Sequence, residues 1–135
     1  MSFSADVAKF SSDAPKRVEK VRRGIILRLF NSVIRDTPVD TGMLRGNWQT
    51  SIATPKNMPI DKIDKGGLDT ITAAEAALGK GETKSVSVFF VNRLPYAGAM
   101  EYGGSKQSPH GMVRRNVARI SALVNRAIKE GKLKL

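Results

Sequence analysis

Cysteine is missing altogether from these 135 residues, and histidine and tryptophan occur once each, at His110 and Trp48. The first absence removes disulfides, thiolate metal ligands and a cysteine nucleophile, and fits a reducing compartment. With a single imidazole, metal binding falls to scattered carboxylates. Asp61, Asp64 and Asp69 are too widely spread, and too mixed with Lys62 and Lys65, for a calcium loop. Aromatic residues make up 6% of the chain and do not interleave with basic ones in the manner of a base-stacking surface. No stretch approaches the roughly 20 apolar residues that cross a bilayer, and Met1 to Asp6 lacks the basic-then-apolar order of a signal peptide. The expectation is an intracellular chain with no membrane segment, no cofactor and no small-molecule substrate.

What is abundant is positive charge, and it is unevenly placed. The net charge is +11: residues 1–35 carry eight Lys/Arg against three Asp/Glu, residues 36–105 seven against eight, and residues 106–135 eight against one. Basic ends around a neutral middle favour a polyanionic neighbour, either nucleic acid or an acidic protein surface, with solvated helix faces as the plain alternative. Hydrophobic residues at 41% and charged residues at 26% are an ordinary globular balance, and the length suits a single domain over 1–135.

Hydrophobic spacing divides the chain. Val18, Val21, Ile25, Leu29 and Val33 recur every three or four residues, which predicts a long amphipathic helix from Pro15 to Arg35, with Asp13 as its N-cap and residues 1–14 as an arm or short separate helix. Residues 47–53 alternate, with Trp48, Thr50 and Ile52 on one side, and predict a strand in which Trp48 faces the core. Residues 54–84 read as a variable loop holding a short helix, placed by the capping-box spacing Thr72 to Glu75. Ser85 to Asn92 is rich in β-formers and predicts a second strand. Pro95 and Gly103 bracket a short helix, and a last helix is expected from Ser108-Pro109 with Val117, Ile120 and Val124 in the core and fraying after Lys129. Together these elements describe an α+β fold: a long N-terminal amphipathic helix and a C-terminal helix packed on a small, mainly antiparallel sheet.

One triplet invites a catalytic reading. "TPVDTG" at 37–42 contains the Asp-Thr-Gly with which aspartic proteases present a carboxylate. That chemistry needs two such loops between apolar strands, so that paired carboxyls share a proton. Asp40 instead follows Arg35-Asp36 at a helix end and has no strand pattern on either side. A turn explains it better: Pro38 stops the helix, Asp40 accepts a hydrogen bond from the following backbone, Thr41 continues the turn, and Gly42 takes a backbone geometry costly to other residues. "GKGETKS" at 79–85 lacks the strand-loop-helix setting of a phosphate loop. No enzymatic activity is expected.

Two longer patches, taken in order, are more specific. "TPVDTGMLRGNWQ" after a basic helix, then "NRLPYAGAMEYGGSKQSPHGMVRRNV" before a last helix, resemble the tail-completion or head–tail joining proteins of long-tailed bacteriophages, minor tail or neck components of the virion. The matching residues are Pro38 to Gly42, Leu44 and Arg45, then Pro95, Tyr96, Ala97, Glu101, Gly103, Ser105, Gln107, Pro109, Gly111, Met112 and Arg114. The resemblance implies a structural subunit, assembled in the host cytoplasm, that forms a ring with copies of itself at the top of the tail. Six copies match a tail of sixfold symmetry. It also implies contacts with other neck and tail proteins and a position facing the DNA in the channel. On that footing Arg45, Tyr96, Glu101, Tyr102, Gly103 and Arg114 are candidate interface residues, with Glu101 pairing Arg45 or Arg114 in its own subunit or an arginine of the next. Arg17, Lys20, Arg23, Arg28, Arg115, Arg119 and Arg126 are candidate DNA-facing residues. The alternative function is a stand-alone basic nucleic-acid-binding protein.

Overall fold

The computed structural model describes residues 21–79, 87–102, 107 and 110–129. In chain order these form helix α1 (21–36), a short helix α2 (Met43–Gly46), strand β1 (Trp48–Ile52), helix α3 (Leu68–Gly79), strand β2 (Val88–Asn92), a short helix α4 (Ala97–Glu101) and helix α5 (Val113–Lys129). The architecture is α+β, helices packed on a two-stranded antiparallel sheet. Several expectations lie outside the described residues: the arm at 1–14, the helix start at Asp13-Pro15, Arg17, Lys20, the first residues of the second strand, Gly103, Ser108-Pro109 and the tail after Lys129.

A two-stranded ribbon is marginal in water by itself and needs a covering layer. Thr50 pairs with Phe90 and Trp48 with Asn92, which sets the alternate residues Trp48, Thr50, Ile52, Val88 and Phe90 on one face of the sheet. From α1, Phe30 lies flat on Phe90 with ring centroids 4.1 Å apart, and Phe90 lies on Trp48 at 4.5 Å, the planes within 9° in both pairs. This three-ring stack ties α1 to both strands, each ring pair adding about 0.5–1.5 kcal/mol beyond its buried area. The Trp48 indole N–H donates to Thr37 Oγ1 at 2.8 Å, and Thr37 donates in turn to Val33 O at 2.7 Å. Thr37 is therefore buried with its hydroxyl satisfied in both directions, as a buried polar group must be. Val33, Ile34, Leu44, Trp48 and Ile71 form the centre of the core, and Ala97 and Met112 close it from the C-terminal half.

Three expectations are corrected. Helix α3 begins at Leu68, so Thr72 and Glu75 lie inside it and not at its cap. Asp64 caps it instead: one carboxylate oxygen accepts from Gly67 N at 2.9 Å, the other from Thr70 N at 2.8 Å and from the Thr70 hydroxyl at 2.7 Å. Helix α5 begins at Val113, after the described turn at His110, because Glu101 supplies its cap from outside the segment. Lastly, Val117 is 44% exposed, and Ile120 and Val124 are only half-buried. Periodicity finds the apolar side of a helix but not how far the protein body extends beneath it. Here the body ends after one turn, where Met112 and Asn116 are buried and Asp36 at the end of α1 receives Asn116 Nδ2 at 2.9 Å and Arg119 Nη1 at 3.1 Å.

Candidate assembly surface

The loop between α1 and α2 is built as a turn, with its roles redistributed. Gly42 sits at φ +97°, the left-handed region, and a Cβ there would lie 2.7 Å from Lys65 N. Its carbonyl accepts from Gly46 N at 2.9 Å and Asp64 N at 3.0 Å, pinning the loop at 64–67 to the start of α2. The side chain that accepts from the following backbone is Thr41, whose Oγ1 takes Met43 N at 3.1 Å. Asp40, expected in that role, is exposed on the rim. Pro38 is buried.

Arg45 acts within the chain. Its guanidinium donates to Lys65 O, to Arg35 O at 2.9 Å and to Thr37 O at 2.9 Å. Arg35 O belongs to the last turn of α1 and Thr37 O directly follows it, at an end where the helix leaves acceptors without intrahelical partners and a cation is favoured. Burial pushes the Arg45 guanidinium below its ordinary value, opposed by the charges of Asp64 and Asp36. Asp64 balances oppositely. Burial raises it, but hydrogen bonds from the Thr70 side chain and backbone and from Gly67, with the charge of Lys62, together hold it below the usual carboxylate range.

The second patch is also organised by one charged group. The half-buried Glu101 carboxylate accepts from Val113 N at 2.8 and 3.1 Å and from Arg114 N at 3.2 and 3.4 Å, capping α5 across a gap in sequence. Arg114 returns the contact through Nη2 to Glu101 O at 2.6 Å, and lies 4.7 Å above the centre of the Tyr102 ring. Within the chain, Glu101 pairs with Arg114, while the guanidinium of Arg45 is engaged elsewhere. Gly111, at φ +85°, passes so close to Glu101 that a Cβ would stand 2.5 Å from its carboxylate oxygen.

The two patches meet. Gln107 lays its carboxamide along the backbone of Val39, Nε2 donating to Val39 O at 3.1 Å and Oε1 accepting from Val39 N at 2.9 Å. Beside this bridge is an open groove of about 310 Å³ lined by residues 38–44 from the first patch and by Tyr96, Met100 and Gln107 from the second. Asp40, Thr41 and Tyr96 are exposed at its edge, and Met43, Leu44 and Met100 give it an apolar floor. Among the described residues no group of three or more His, Cys, Asp or Glu is arranged to hold a metal ion, and no helix is long and apolar enough to cross a membrane.

No protein-family model, curated protein or solved structure matches this chain.

The remaining site residues are dispersed. Tyr102 is exposed, with Arg114 over its ring. Arg23 is half-buried on α1 and Arg28 exposed there; Arg115, Arg119 and Arg126 are exposed on α5, with Arg119 held by Asp36. Two residues carry more than sequence reasoning gave them. Asp64 stands ahead of Gly66-Gly67 and the apolar start of α3, a legible cap signal that the calcium question obscured. Gln107 had no local signal, since its partner lies 68 positions away.

Proposed function

We propose that this chain is a structural subunit of a bacteriophage neck, one copy of a ring that completes the tail and joins it to the DNA-filled head. The observation that carries this reading is the convergence of the two patches. Segments far apart in sequence, and resembling that family separately, line one groove and are bridged by Gln107 to Val39. A chance likeness in two unconnected segments gives no reason for them to build one surface. Within them, Gly42, Arg45, Glu101 and Gly111 are fixed by intramolecular geometry, leaving Asp40, Thr41, Tyr96 and Tyr102 to face a neighbour. The role is mechanical rather than catalytic, and a specific contact of this kind buries roughly 1,200 Å² or more in total.

The test is an amber mutation in the gene, with electron microscopy of the lysate. Filled heads beside unattached or abnormal tails are expected, with infectivity returning when the protein is supplied. Complete infectious virions without it refute the reading and favour the nucleic-acid-binding alternative, for which exposed Arg115 and Arg126 on α5 are the support. A dedicated duplex binder would lose orders of magnitude in affinity between about 50 and about 200 mM salt.

A further inference from the structure

A two-stranded sheet has two edges, and its register shows which backbone groups each edge presents. Ala53 N donates to Ser87 O at 2.7 Å in the register that pairs Trp48 with Asn92, so Ser51–Phe89 and Gln49–Val91 are the pairs that exchange hydrogen bonds. Val88, Phe90 and Asn92 point their backbone N–H and C=O groups the other way, along the outer edge of β2. Among the described residues none of those groups has a partner. The edge of β1 is treated differently. Helix α3 packs against that strand, and the strand is turned aside at Ala53, φ +72°, where Ile52 O accepts from Thr54 N at 2.9 Å.

The two faces of β2 are already engaged. Phe30 of α1 stacks on Phe90 on one of them. On the other, Gln49 Nε2 donates to Met58 O at 2.8 Å and Arg93 Nε to Lys56 O at 2.9 Å, fastening the loop at 56–58 over that end of the ribbon. Yet all five residues of β2 stay half-buried, although four of them are Val or Phe. What remains open is the edge. Natural edges of ordinary strand length are kept apart by a charge, a proline or a bulge. Val88 to Asn92 contains no charged residue, proline or glycine, in a chain of net charge +11. A row of donors and acceptors at strand spacing is complementary to an extended polypeptide backbone.

We propose that β2 pairs antiparallel, edge to edge, with β2 of a second copy of this chain, joining two ribbons into one four-stranded sheet. The strand is complementary to itself. With Phe90 opposite Phe90, Val88 falls opposite Asn92 on either side, and roughly six backbone hydrogen bonds form between groups that have none within the chain. Side-chain rows continue across the joint on both faces, Val88 and Phe90 on the face under α1 and Phe89 and Val91 on the other. No like charges meet: Arg93, next to the strand, falls opposite Ser87 of the second copy, and the two Arg93 lie about 20 Å apart at opposite ends of the joint. A two-stranded ribbon is also short of the three or more strands that hold together in water, and the pairing supplies two more. The contact is isologous and closes at two copies, so it builds no ring and rests on the sheet alone, apart from the neck reading above.

Amide exchange of the unmodified protein, followed by NMR from dilute to concentrated solution, reads the pairing. The Phe89 and Val91 amides are held by β1 and are expected to be protected throughout, whereas those of Val88 and Phe90 are expected to slow by about tenfold or more as concentration rises. Equal protection of Val88 and Phe90 at every concentration means that the chain covers its own edge, and fast exchange at every concentration leaves the edge to a different protein; either overturns the proposal. The absence of cysteine permits a second measurement, with Phe89→Cys and Val91→Cys in separate full-length proteins. In the paired register these positions face one another as a non-hydrogen-bonded pair with Cα atoms about 4.5 Å apart, within the span of a disulfide. Oxidation of the mixture is expected to give a disulfide dimer that neither protein gives alone. No dimer from the mixture, or a dimer from either protein by itself, overturns the pairing. Val88→Pro removes an outward N–H and leaves the bonds to β1 in place, so it is expected to keep the protection of Phe89 and Val91 and to abolish the concentration dependence. Concentration-dependent protection of Phe90 that survives this substitution refutes the edge contact.

Discussion

Replacing Arg45 tests whether this residue holds a subunit together or holds subunits to one another. Its guanidinium donates to three carbonyls, two at or directly after the end of α1 and one at Lys65, so Arg45→Ala unfastens α1 from the loop that precedes α3. A hydrogen bond from a charged donor contributes about 1.5–3 kcal/mol, but these three act together and lie partly in solvent, so their sum is not additive; a loss of about 2–3 kcal/mol is expected. Against a total stability of about 5–15 kcal/mol, that is large enough to read in a urea titration of the isolated protein. Arg45→Lys separates charge from geometry. An ammonium keeps the charge at the helix end but cannot present a planar fork to carbonyls from separate segments, so it should recover less than half of the loss. An Arg45→Ala protein within about 0.5 kcal/mol of the parent, the range of ordinary surface changes, would refute the clamp and return Arg45 to the subunit interface.

Three further outcomes follow from neighbouring geometry. Gly42→Val should cost at least the roughly 1–3 kcal/mol of left-handed strain, because Lys65 N also blocks its Cβ, while Asp40→Asn at the exposed rim should leave thermal melting unchanged; equal melts for both would remove the turn argument. Glu101→Ala should lower stability by about 0.5–2 kcal/mol and fray the first turn of α5 in amide exchange, with Glu101→Gln intermediate, and unaltered exchange at Val113 and Arg114 would contradict the cap. Asp64 is held below the usual carboxylate range, so its contribution is complete above about pH 4, the unfolded value, and is lost as pH falls through the folded value; Asp64→Asn should flatten the fall in melting temperature below about pH 4, and an unchanged slope would exclude it.

The local elements were legible because the forces that set them are local. Alternation at Trp48, Thr50 and Ile52 and the β-formers before Asn92 marked two strands, and the three-to-four spacing before Arg35 marked α1. Backbone geometry at Gly42 could be expected as well, since a proline stop followed by Asp-Thr-Gly calls for a residue tolerant of positive φ. Side-chain alternation even fixed Trp48 as a core residue, but not its partners: the stack on Phe90 and Phe30 depends on a register that the intervening loop leaves open.

What tertiary structure alone decided was the destination of each polar group and the reach of the core. Arg45, Glu101 and Asp64 look alike in sequence as charges near turns. They differ because a buried carbonyl or amide must find a partner somewhere, and each of these side chains is the one within reach. The apolar repeat of helix α5 runs on past Asn116, yet no described residue beyond Asn116 is fully buried. A repeat records which side of a helix avoids water, whereas burial depends on what other segments put there. That second fact is a property of the assembled chain, and at α5 the chain leaves the surface open.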